Sequence, residues 1–199
     1  MGLVLSVIVL ATPEWKTVSS SEGITVEARP VTGSPFAELR ATTTVAVPVE
    51  ALCAGAFGTS LVDPKEPSLK SRRVISESPD ERVAYDRISP PVVNDRDYTV
   101  RTHREQTDRG RCRVTVDIAN ELAPAPSPSV VRLEKLRCAW DFEPQPDGRT
   151  KLTYVMWADP NTSLPAFMVE PSRHELMVVW VKLVIERGKA WVRAGPPSQ

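Results

Sequence analysis

Histidine is scarce in this chain, and its scarcity excludes a good deal of chemistry. His103 and His174 are the only two. Neither has a cysteine or a second histidine at ligand spacing, so no metal centre is written here. Cys53, Cys112 and Cys138 stand far apart with no C-x-x-C pair, which excludes a zinc motif and a disulfide framework and leaves three buried free thiols as the expectation. Among the nine glycines there is no G-x-S-x-G and no glycine-rich phosphate cradle, so nothing supports nucleophilic hydrolysis. Neither sign of charge is in excess. Lysine plus arginine equals aspartate plus glutamate, 25 each, which removes any general attraction to nucleic acid or an anionic surface. The longest apolar run, Leu176 to Ile185, is interrupted only by Lys182 and is far too short to span a bilayer.

Proline, by contrast, is plentiful: 19 residues stiffen connections at many turns. A length of 199 residues suits one domain with a core large enough to surround a cavity. Leu3 to Ala11 is apolar and ends at Ala11-Thr-Pro13, resembling a secretory signal without its basic start. Residues 1–14 are therefore set apart, as a leader of an exported protein or as an apolar segment tucked onto a cytoplasmic one. The domain is assigned to residues 15–193 and a tail to 194–199.

Alternation marks most of the chain as strand. Trp15 to Glu22 reads as a helical turn and loop, then Gly23 to Arg29 and Phe36 to Val47 as a hairpin rich in β-branched residues. Pro48 opens a short helix, with Val49, Leu52, Cys53, Ala56 and Phe57 at helical spacing. Gly58 to Lys70 resists assignment. Strands follow at Arg72–Glu77, Arg82–Ile88, Arg96–Glu105, Arg111–Glu121, Val130–Glu143 and Thr150–Ala158. Gln145-Pro-Asp-Gly148 is a strong turn signal between the last two. A helix ending near Ala190 closes the order. It is too apolar for a single buried stripe, so two of its sides need non-aqueous neighbours. An α+β fold results, a long antiparallel meander covered by its terminal helix.

Several short motifs occur together in order: Gly23-Ile-x-Val26 with Arg29; Phe36-x-Glu38-x-Arg40-Ala41; Asp95-Arg-Asp-Tyr98; Trp140-x-Phe142; Tyr154; and Asp159-Pro-x-x-Ser-Leu-Pro165. Over roughly residues 15–190 the chain resembles a START domain, a lipid-transfer module of helix-grip fold in the Bet v 1-like superfamily, with bacterial members nearest in texture. The resemblance implies a curved antiparallel sheet wrapped around the C-terminal helix, a hydrophobic internal cavity between them, and a gating loop at Ser89–Asp95. Leu61 to Pro67 departs from the pattern, with Asp63 but no tryptophan.

The function expected is binding of a lipid or other apolar small molecule, without cofactor, catalysis or metal, by a monomer that touches membranes transiently. Around the cavity are expected Phe167, Met168, Met177, Trp180, Val181 and Val184 from the helix, Val92 and Val93 from the loop, and Arg96 and Tyr98 from the strand after it. Arg96 paired with Asp97 is one candidate for holding a head group; the other role for Asp97 is to fix the loop to the sheet. The alternatives are a polyketide cyclase or aromatase of the same superfamily, favoured by a cavity with perturbed polar groups, and a protein-interaction module docking through the apolar helix.

Overall fold

The computed structural model describes residues 13–58, 63–90, 94–107, 109–125 and 127–195. Strands β1 (Lys16–Ser21) and β2 (Ile24–Arg29) form an antiparallel hairpin. Its turn, Glu22-Gly23, has φ of 52° and 76°, the doubly positive geometry that matches the twist of a tight hairpin. This corrects the helical turn expected after Trp15. A glutamate in place of asparagine hides the turn signal, and the mostly exposed Lys16–Ser21 lacks a buried face to alternate against. Trp15 itself sits between two guanidinium groups, Arg29 and Arg40, each 4.4 Å from the ring centroid.

The chain continues through β3 (Glu38–Val45), helix α1 (Val49–Phe57), β4 (Leu69–Glu77), β5 (Glu81–Ile88), β6 (Arg96–Gln106), β7 (Cys112–Ile118), the short β8 (Val131–Arg132), β9 (Lys135–Pro144) and β10 (Thr150–Asp159) to helix α2 (Ala166–Ala194). The sheet order is β1-β2-β3-β10-β9-β7-β6-β5-β4, with β8 paired parallel to β6. All other pairings are antiparallel. The last strand therefore returns to lie beside β3 and delivers α2 directly across the concave face. This is the α+β helix-grip arrangement expected.

Coverage of that face is uneven, and the unevenness makes the site. Met177, Val181, Val184 and Gly188 of α2 are buried at helical spacing. The first three join Val26, Leu39 and Ala41 of the β2–β3 half, together with Leu52 and Cys53 of α1, in one core. Helices α1 and α2 meet backbone to backbone: a Cβ added at Gly55 would lie 2.8 Å from the Val184 carbonyl oxygen, and one at Gly188 3.1 Å from Val47 Cγ1. On the β4–β6 side, the space between sheet and α2 is not filled by side chains and remains a cavity. Among the described residues no helix is long and apolar enough to cross a membrane.

Two of the three cysteines are not free thiols. Cys53 on α1 and Cys112 on β7 are joined in a disulfide, with Cα atoms 6.0 Å apart. The helix lies over the inward face of β7, which carries Cys112 toward it. A separation of 59 residues gives no sequence cue to such a meeting. Cys138 alone is free. The apolar run Leu3–Ala11, part of the unassigned Gly58–Lys70 segment and most of the tail lie outside the described residues.

Candidate functional site

The cavity has a volume of about 440 Å³. Strand periodicity determines its wall. On β6 the inward residues are Arg96, Tyr98, Val100 and Thr102, and on β9 Leu136, Cys138 and Trp140, each set alternating by two. Tyr154 and Met156 continue the wall on β10, with Tyr154 stacked on Trp140 at 3.8 Å between ring centroids. From α2 come Leu176, Val179 and Trp180, beside the buried row, and Val184, which belongs to both. Glu175 and Val179 line the cavity and are also exposed, so the cavity meets solvent along this side of α2. The middle is apolar, and its hydroxyl and thiol groups stay protonated. Burial pushes the Cys138 thiol up to about 12, and Tyr98 and Tyr154 well above the ordinary phenol range.

Beneath the end of α1 the wall is ionic. Arg72 donates two hydrogen bonds to Asp86, at 2.8 and 2.7 Å, and two to Glu66, both at 3.1 Å. Arg187 of α2 reaches the same Glu66 at 2.6 Å and Asp63 at 3.0 Å. Glu66 and Asp86 are 6% and 2% exposed, and buried charges are tolerated only when paired in this way. Next to them Arg82, 5% exposed, donates through Nη2 to the Phe57 carbonyl oxygen. Burial, reinforced by nearby Arg72, lowers its pKa. The cluster was not among the residues expected at the site. Period two on β5 does put Arg82, Ala84, Asp86 and Ile88 on one face, but charges on an alternating strand ordinarily mark the solvent side.

Near the start of α2, Arg96 is 3% exposed and donates to the Pro160 carbonyl at 2.9 Å and the Asn161 carbonyl at 3.3 Å. Burial lowers its pKa too. It thereby ties the start of β6 to the connection that launches α2. Arg96 and Asp97 do not pair. Asp97 faces the other side of β6 and accepts from Arg132 Nε at 2.6 Å and from the Tyr85 hydroxyl at 2.8 Å, while its backbone carbonyl accepts from Leu133 N. It fixes the residue 123–132 connection to the sheet. Desolvation by burial raises the Asp97 pKa, but the Arg132 and Tyr85 hydrogen bonds prevail and hold it below 3.8. A carboxyl depressed in the fold contributes stability that is present above its unfolded value and lost as pH falls through the folded one. Acid unfolding of Asp97→Asn, followed by circular dichroism, is expected to lack this component. At neutral pH the variant is expected to be less stable by about 1–3 kcal/mol.

The family model for the START domain matches residues 5–190. The chain belongs to the START domain family. Among solved structures, a STAR-related lipid transfer protein from Xanthomonas axonopodis is similar at a TM-score of 0.77 and 22% identity, over 88% of this chain and 98% of that one. Human STARD10 is similar at a TM-score of 0.75 and 16% identity, over 90% and 74%. The Zhui aromatase/cyclase from Streptomyces sp. R1128 is similar at a TM-score of 0.51 and 14% identity, over 81% and 98%. These likenesses establish the fold. No curated protein matches the chain by sequence search.

In this START domain, four of the ten residues expected at the site line the cavity: Arg96, Tyr98, Trp180 and Val184. Met177 and Val181 are fully buried in the core between α2 and the sheet and are not part of the cavity wall. Phe167 and Met168 are corrected outright, being 77% and 52% exposed on the first turn of α2. Val92 and Val93 lie outside the described residues, though Pro90 of the same loop lines the cavity. His103 is exposed and His174 half-buried near Glu170, and neither is part of the wall.

Proposed function

We propose that the protein binds a lipid or other apolar small molecule inside this cavity and shields it from water, without chemical change to the ligand. The observation that carries the reading is the continuous void under α2 with an apolar middle drawn from β6, β9, β10 and the helix. Support for binding rather than catalysis comes from the character of its polar groups. Among the described residues the wall holds no histidine, the two carboxylates beneath α1 are occupied by arginines, and arginine does not exchange protons near neutrality. A cyclase-like role would need a titratable group inside the cavity, free to act on a bound substrate; Glu175, the remaining carboxylate of the wall, stands at the solvent-facing side of α2. The exposed Phe167 and Met168 beside cavity-lining Val169 are suited to transient contact with a membrane during loading.

Shielding makes affinity depend on chain length. Each methylene moved from water into the cavity contributes about 0.8 kcal/mol, or about fourfold in affinity. Native mass spectrometry of the protein with a series of primary alcohols is expected to show one ligand per chain. Affinity should rise by about that factor per carbon until the cavity is filled. Affinity independent of length would contradict the reading.

A further inference from the structure

Among the described residues, Arg82 is the cation of the ionic end that has a buried guanidinium nitrogen without a hydrogen-bond partner, Nη1. This nitrogen forms an ion pair with Glu77, 38% exposed, at 3.6 Å, beyond hydrogen-bond distance. Glu66 and Asp86 cannot serve, because Arg72 and Arg187 take their oxygens. Nη2 is engaged by the Phe57 carbonyl, and the ring of Phe57 lies 5.0 Å from the guanidinium carbon, so the side chain is held in place rather than free to turn toward water. A buried donor left without an acceptor is costly, more so on a charged group. The side chain that carries it is part of the wall of the void.

The void also limits what can bring that acceptor. At the ~30 Å³ that a water-sized group occupies in a liquid, the cavity has room for about fifteen non-hydrogen atoms. That is the scale of one chain of moderate length. Resting on the binding reading above, we propose that the ligand is a single-tailed amphiphile with an anionic oxygen head group, a carboxylate or a phosphate, anchored by Arg82 while its tail fills the apolar middle toward Trp140 and Trp180.

The test compares dodecanoate, dodecyl phosphate and dodecanol by isothermal titration with the full chain and with Arg82→Gln, Arg82→Lys and Arg104→Gln. Arg104 lies against the same Phe57 ring outside the cavity wall and serves as the control. Wild type is expected to bind at least one of the two anions more tightly than dodecanol. Arg82→Gln should remove about tenfold of that anion's affinity and leave dodecanol within about twofold. The anion that suffers the larger loss identifies the head group. Arg82→Lys should fall between, because it keeps the charge but not the planar fork, and Arg104→Gln should match wild type. If Arg82→Gln does not fold, Arg82→Lys carries the comparison, with preferential loss of the anion still required. Equal losses for anion and alcohol, or no loss in a folded variant, overturn the role of Arg82 while leaving the cavity reading intact. Failure of wild type to bind any of the three overturns both.

Discussion

Arg72→Leu is expected to lower the stability of the folded chain by about 3–5 kcal/mol, among the larger effects a single substitution here can have. Arg72 holds both Asp86 and Glu66. Glu66 retains Arg187 when Arg72 is lost, but Asp86, 2% exposed, is left as a buried carboxylate without the cation that faces it. The cost comes mainly from that stranded charge, so removing it should restore stability. Arg72→Leu/Asp86→Leu is expected to recover a substantial part of the loss, and a double-mutant cycle of chemical denaturation curves measures the coupling. A single-variant effect below about 1 kcal/mol would mean that the ionic cluster does not hold the α1 end of the cavity together.

Gly55→Leu is expected to cost about 3 kcal/mol or more, by a different physical route. At Gly55 even a Cβ would lie 2.8 Å from the Val184 carbonyl oxygen and 3.1 Å from the Gly188 amide nitrogen. These are backbone atoms that no rotamer change can move. A side chain there must push α1 off α2, and α2 is the roof of the cavity. Gly55→Ala should show a smaller loss of about 1–3 kcal/mol. Thermal melts read both as a fall of about 2–4 °C per kcal/mol for a chain of this length. Wild-type stability in Gly55→Leu would show that the two helices are not pressed together.

Most of the strands were legible because one face of each is buried. The alternation of Tyr98, Val100 and Thr102, or of Leu152, Tyr154 and Met156, is written directly in residue type. Helix α2 was legible as two-sided, since Met177 and Val181 pack on the sheet while Leu176 and Trp180 face the void. Which apolar residues serve which side was not legible. Adjacent positions differ by about 100° around a helix, so a dense apolar run offers several equivalent assignments of face. Phe167 and Met168 are apolar residues of the same helix but precede its first buried position, Val169.

Two other features were hidden for separate reasons. The Glu22-Gly23 turn carries its geometry in φ rather than in an asparagine, and β1 went unread with it. The cluster of Glu66, Arg72, Arg82, Asp86 and Arg187 is assembled from the connection after α1, two strands and the terminal helix. Each charge taken singly reads as solvated. Only the register of β4 against β5, which sets Arg72 opposite Asp86, brings the pairs indoors.

The central claim is that apolar ligands occupy the void under α2, and filling that void tests it most directly. Val116 points into the cavity from β7. Val116→Trp should take up much of the free volume without disturbing the packed β2–β3 half. Affinity for dodecanol, measured by native mass spectrometry and titration, is expected to fall by about tenfold or more as the space for several methylenes is lost, with a thermal midpoint close to wild type. Undiminished dodecanol binding by a folded Val116→Trp variant would contradict the account.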